Sequence, residues 1–268
     1  MQLTDEYLEQ VEKEFGELIK IIYRLRQPDG CPWDRAQTHE SIRTNAIEEA
    51  YELVEAIDKR DSDKMKEECG DVLLQAVFNG VIAEDADEYT LLDVLKGING
   101  KLLFRHTHIF GQDKAYSAED ALKFWENNKA KEKGQKSLSD KLDGIATTFP
   151  STMKAEKVQK YAAKVGFDFT NREEAASKVR EELEEYLSAT DEEREMEGGD
   201  LMFSVINLLR LDGIFSEVAL NLSTAKFTDR VKYMERLANE DGKVLKELSL
   251  AEQEEYYQIA KKLLNEKS

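Results

Sequence analysis

Glu48-Glu49-Ala50-Tyr51-Glu52 is followed by Glu68-Cys69-Gly70-Asp71, and the pattern returns as Glu181-Glu182-Leu183-Glu184-Glu185 followed by Glu197-Gly198-Gly199-Asp200. Both copies read E-E-x-x-E, a short gap, then E-x-G-D running into an apolar stretch. Residues three apart share a helix face, so two neighbouring helices can aim Glu49, Glu52, Glu68 and Asp71 at one point. The second copy can do the same with Glu182, Glu185, Glu197 and Asp200. Four carboxylates converging in a helical core repel one another unless a hard divalent cation holds them together. The repeat therefore predicts an all-α chain made of two helical units, each with a metal site.

Outward from these runs, apolar residues recur at helical spacing. The first stretch, 5–26, carries Leu8, Val11, Phe15, Leu18, Ile19, Ile22 and Leu25 as one stripe. Pro28-Asp29-Gly30-Cys31-Pro32-Trp33-Asp34 ends it with turn chemistry. Further helices are expected over roughly 40–58, 64–84, 90–105 and 118–132, with 106–120 irregular. Their expected core residues are Ile42, Ala46, Ala50, Leu53, Val54 and Ile57, then Val72, Leu73, Ala76 and Val77, then Leu91, Val94, Leu95, Ile98 and Leu102. Gln135–Pro150 is polar and holds Gly144, which predicts a first domain over 1–134, a linker over 135–150 and a second domain over 151–268. Helices resume at roughly 152–164, 171–189, 192–212, 214–239 and 250–266.

With 35% charged residues and only three prolines, the chain of 268 residues suits helical bundles better than a sandwich or barrel. A net charge of -18 argues against a binder of nucleic-acid polymers, whose phosphates require a basic surface. The two cysteines, Cys31 and Cys69, fit neither a disulfide framework nor a zinc pattern. No apolar run approaches the length of a membrane span, and the acidic start Met1-Gln2-Leu3-Thr4-Asp5-Glu6 has the wrong sign for a targeting segment. A cytoplasmic protein without a membrane partner is expected.

A lone E-E-x-x-E in so acidic a chain is usually a solvated face. Here Glu68 and Asp71 border Val72 and Leu73, and both copies preserve the same internal spacings, which a solvated face has no reason to do. All-oxygen donors favour magnesium, with manganese as a substitute, over zinc. The second half contains no histidine, so its site is neither a zinc site nor a Glu-x-x-His di-iron centre, and metal and carboxylates must activate any water there. Lys101 and Arg105 lie four apart, as do Lys226 and Arg230, each pair on the helix after the carboxylates. Such pairs suit triphosphate oxygens. Lys178 stands one turn before Glu182, whereas Asn45 holds that position before Glu49, so the second copy is better equipped for a polyanion. Cys31 and His39 are expected to pack rather than react.

The chain resembles tandem-domain MazG proteins, of the all-α nucleoside triphosphate pyrophosphohydrolase family. The resemblance covers nearly the whole length. It is carried by Gly30-Cys31-Pro32-Trp33-Asp34, Gln37-Thr38-His39, both carboxylate sets, Arg105-His106-Thr107-His108-Ile109-Phe110-Gly111, Trp125-Glu126 with Lys129, Lys154 to Phe169 including Val165-Gly166-Phe167-Asp168, and Lys226-Phe227-x-x-Arg230.

It implies hydrolysis between the α and β phosphates to a monophosphate and pyrophosphate, in a homodimer, mainly at the second copy. Magnesium would be held by Glu182, Glu185, Glu197 and Asp200, with Glu181 or Glu182 as proton acceptor. Lys178, Lys226 and Arg230 would bind phosphate and Tyr257 would stack on the base. The first-copy counterparts are Glu49, Glu52, Glu68 and Asp71 for metal, and Lys101, Arg105 and Trp125 for substrate. Three departures stand out: Tyr257 replaces a tryptophan, Gly198-Gly199 doubles a usual single glycine, and Glu193 stands where relatives can carry a lysine.

Overall fold

The computed structural model describes residues 3–135 and 137–265, and these form thirteen α-helices, one turn of 3-10 helix and no strand. Glu266, the expected last helical residue, lies outside the described residues. The chain divides into two compact units, Met1–Lys129 and Ala130–Ser268. Among the described residues no helix is long and apolar enough to cross a membrane.

The first unit opens with α1 (Asp5–Arg26), capped by Thr4 Oγ1, which accepts from Tyr7 N at 3.3 Å. Its acidic first turn and basic last turn both suit the helix dipole. The stripe read from sequence is largely real: Phe15, Leu18, Ile19 and Ile22 pack on Val77, Phe78, Val81 and Ile82 of α4. Burying each large aliphatic side chain contributes about 1.5–3 kcal/mol. The turn that follows depends on Gly30, where a Cβ would lie 2.2 Å from the Leu25 carbonyl oxygen. A short α2 (Pro32–Arg35) begins on Pro32.

Next, α3 (His39–Lys59) and α4 (Ser62–Asp85) form an antiparallel hairpin. A capping box between Thr38 and Ser41 starts α3. Arg60, left-handed at φ 55°, ends it, and Asp61 Oδ1 caps α4 by accepting from Lys64 N at 3.1 Å. The unit continues through α5 (Leu91–Arg105), α6 (Thr107–Phe110) and α7 (Ala118–Glu132). Glu84 of α4 accepts from Leu91 N at 2.6 Å and from the Tyr23 hydroxyl, fixing the start of α5.

The second unit repeats the order. Behind a short α8 (Leu138–Asp143), α9 (Ser151–Ala163) packs on α11 (Arg194–Leu211) and α12 (Ser216–Glu240), and α10 (Arg172–Ser188) pairs with α11. The last helix, α13 (Leu250–Asn265), packs on α12 around Met234, Ala238, Tyr256 and Ala260. Here the start of α12 is fixed from α9: Glu156 Oε2 accepts from Ser216 N and Oγ, both at 3.2 Å. The same helix start is thus capped by a carboxylate from a different helix in each copy.

Three expectations differ from the structure. The stretch 135–150 is not simply a linker, because a Ser137–Asp140 capping box starts α8 within it and α8 packs on α9. The segments expected to be irregular contain α2 and α6, each one helical turn. Several expected core residues, among them Ala50, Val54, Ile57, Leu73, Ala76, Val94, Ile98 and Leu102, are exposed in the single chain. Spacing identifies an apolar face but not whether this chain covers it.

Candidate active site

Each helix hairpin gathers three carboxylates. In the first unit, oxygens of Glu49 on α3 and of Glu68 and Asp71 on α4 all lie within 4.8 Å of one another. In the second, Glu182 and Glu185 on α10 join Glu197 on α11 within the same distance. The fourth member of each set, Glu52 or Asp200, is exposed and outside the cluster. Both copies share two positions, the second Glu of E-E-x-x-E and the Glu of E-x-G-D.

One member of each cluster is deeply buried: Glu68 is 3% exposed and Glu182 7%. A lysine meets each of them. Lys178 Nζ lies 2.7 Å from Glu182 Oε1 and 2.8 Å from Glu181 Oε1, and Lys64 Nζ lies 3.6 Å from Glu68 Oε1. Hydrogen bonds to Glu181 and Glu182 push the Lys178 ammonium well above the ordinary lysine range. The Lys64 ammonium is raised by the charges of Glu68 and Glu67. Burial, then the charges of Asp71, Glu52 and Glu68, hold the Glu49 carboxyl above the usual carboxylate range. Burial and then Glu182 do the same for Glu185, against a lowering by Lys178.

The expected phosphate cations divide. Lys101 and Lys226 are exposed, on α5 and α12. Arg105 is buried, with its guanidinium carbon 5.1 Å from the centre of the Trp125 ring, and Lys129 Nζ is 4.8 Å from the same ring. Arg230 repeats this with Tyr257 at 6.0 Å, donates from Nη2 to Asn265 Oδ1 at 3.1 Å, and keeps a buried Nε with no acceptor among the described residues. Tyr257 also touches Phe227, their ring centres 5.9 Å apart. Arg105 with Trp125 and Arg230 with Tyr257 are therefore equivalent pairs, a relation that spacing alone did not reveal.

His39 packs, as expected: its Nδ1 pairs with Asn79 Oδ1 at 2.8 Å and its ring stacks near Tyr89. Asp34 and Asp168, which close the two related turn motifs, differ in partner. Asp168 pairs with the half-buried Arg210, whereas the backbone carbonyl of Asp34 accepts from Arg26. Lys64 is a cation beside the first cluster that the sequence reading did not single out. Its signal was available, since it precedes Glu68 by one helical turn as Lys178 precedes Glu182.

With this geometry in place, comparison with known proteins is informative. The MazG nucleotide pyrophosphohydrolase domain matches residues 37–110, from just before α3 through α6. The Thermotoga maritima protein named nucleoside triphosphate pyrophosphohydrolase/pyrophosphatase MazG is 46% identical over 92% of this chain and 95% of its own length. An Escherichia coli nucleoside triphosphate pyrophosphohydrolase is 36% identical over 93% of this chain and 97% of its own. The Bacillus subtilis protein YabN is 41% identical over 97% of this chain, a match spanning 55% of that longer protein. The chain belongs to the MazG nucleotide pyrophosphohydrolase family.

Proposed function

We propose that the chain is a magnesium-dependent nucleoside triphosphate pyrophosphohydrolase that splits NTPs and dNTPs between the α and β phosphates, chiefly at its second unit. The observation that carries this reading is the cluster of Glu182, Glu185 and Glu197 with Lys178 at its most buried member, in a chain whose relatives are named for that activity. The donor set fits the metal. Three convergent carboxylates are the oxygen donors a hard divalent cation takes, so Glu182, Glu185 and Glu197 would hold it, with Asp200 on the same helix as Glu197 as a further donor. Glu49, Glu68 and Asp71, with Glu52, form the corresponding set in the first unit.

Bound there, magnesium would supply Lewis acidity to a phosphate oxygen and a more acidic water. The chain's own residues do the rest. Glu181 lies outside the cluster but holds the same ammonium as Glu182, which makes it the carboxylate left to take a proton from the attacking water. Lys178, beside Glu181 and Glu182, would offer its ammonium to triphosphate oxygens. Lys226 and Arg230 neutralise charge on the departing pyrophosphate, and the unsatisfied Nε of Arg230 is a donor in want of an acceptor. Tyr257 offers a ring for the base.

The exposed apolar residues Val94, Ile98, Leu102, Leu103 and Phe104 of α5 support assembly as a homodimer. The strongly negative charge supports mononucleotides over polymers as substrate. Incubation with dNTPs and magnesium, followed by chromatography, tests the reaction. Monophosphate and pyrophosphate are expected; diphosphate with orthophosphate, or no turnover, contradicts it.

A further inference from the structure

Arg230 of α12 is held by two side chains of α13. Its guanidinium carbon lies 6.0 Å from the centre of the Tyr257 ring, and its Nη2 donates to Asn265 Oδ1 at 3.1 Å. The ring limits tilt of the planar guanidinium, and the amide oxygen limits its rotation. Tyr257 is itself set by packing against the cluster of Met234, Ala238, Tyr256 and Ala260, and by the Phe227 ring. Beyond the bond to Asn265, Arg230 keeps a buried Nε that meets no acceptor among the described residues.

The acceptor at Asn265 is of a different kind from those of other arginines in the chain. Arg24, Arg26, Arg172, Arg180, Arg194 and Arg210 each pair with a carboxylate. With 56 acidic residues against 38 basic ones, such pairing is the ordinary outcome. Arg230 meets a neutral amide instead. A carboxylate there would make the stronger hydrogen bond, but would also cancel the charge that a polyanion has to meet. Aspartate has the same shape as asparagine, so the difference between them at this position is charge rather than fit. An amide oxygen orients the guanidinium and leaves its charge whole.

We infer that Asn265 is a positioning residue for Arg230: it fixes the guanidinium for a triphosphate without neutralising it. In this arrangement α13 supplies both the ring offered to the base and the amide that aims the phosphate cation. Asn265 acts through Arg230 and has no need to touch the substrate. This rests on Arg230 being a phosphate ligand of the second unit.

The test is a double-mutant cycle in the full chain. It reads kcat/KM for pyrophosphate release from dATP with magnesium, and the melting temperature of every variant. Asn265→Ala frees the guanidinium and lowers kcat/KM by about three- to tenfold, the net worth of one hydrogen bond. Asn265→Asp keeps the bond but adds a charge, so it lowers kcat/KM by about tenfold or more while the melting temperature holds or rises. In an Arg230→Ala chain neither substitution has a further effect, because the group through which Asn265 acts is gone. An Asn265→Asp chain as active as the parent would mark a plain structural clasp and overturn the inference. Losses that persist undiminished in the Arg230→Ala chain would overturn it too. If Arg230→Ala by itself leaves kcat/KM unchanged, Arg230 is not a phosphate ligand, and the inference falls with that reading.

Discussion

Glu49 on α3 and Asp71 on α4 bring carboxylate oxygens within 4.8 Å of each other across the first hairpin, and after burial Asp71 is the strongest influence raising the Glu49 carboxyl. Two anions held this close by their helices store repulsion that a bound cation converts into attraction. Magnesium should therefore raise the melting temperature of the chain. A hundredfold excess over the dissociation constant contributes about 2.7 kcal/mol per site. Scanning calorimetry with magnesium and with EDTA measures this, and superimposable curves would speak against both sites.

The same repulsion sets a pH dependence. Glu49 and Glu185 have folded-state pKa values above the ordinary carboxylate range, so the folded chain binds their protons more readily than the unfolded chain. Their stabilising contribution is complete below the ordinary carboxylate pKa and is lost as pH rises through the raised values. Melting curves of metal-free protein should show this loss across that window. Glu49→Gln with Glu185→Gln should flatten it, and a profile parallel to that of the parent would count against the account.

Glycines offer a paired comparison. A Cβ at Gly199, inside α11, would meet nothing within 4 Å, so Gly199→Ala should stabilise by about 1 kcal/mol through helix propensity. At Gly30 a Cβ would run into the Leu25 carbonyl oxygen at 2.2 Å, so Gly30→Ala should cost about 1–3 kcal/mol. Urea unfolding separates the two by sign, and equal effects would show the local geometry to be wrong.

Glu156 caps α12 through Ser216 and also holds Lys160 Nζ at 2.6 Å. Replacing its charge by Glu156→Gln should cost about 1–3 kcal/mol. Hydrogen exchange should show the Ser216 amide losing protection ahead of amides in the middle of α12. Unchanged protection there would mean that the carboxylate does not secure that helix start.

Much of the fold was legible because its signals are local. The apolar stripe of α1 and the break at Gly30 are written in neighbouring residues. The E-x-x-D spacing likewise put Glu68 and Asp71 on one face. Coverage was not legible, because Val94 and Ile98 read as core by period yet face solvent in this chain. Nor did spacing reveal which three carboxylates of each set would meet, since that depends on side-chain orientation in three dimensions. Lys64, which meets Glu68 at 3.6 Å, was not singled out although it precedes Glu68 by one helical turn.

The central claim is that the second hairpin carries the chemistry, and pyrophosphate release from dNTPs by the Glu185→Gln, Asp200→Asn chain tests it most directly. These changes remove one clustered carboxylate and the exposed one expected to join it on metal binding. The account predicts a fall in kcat of at least about 100-fold, the usual scale for losing groups that stabilise transition-state charge. Glu52→Gln in the first unit should leave most of the turnover in place. Undiminished pyrophosphate release by the second-unit variant would contradict the account.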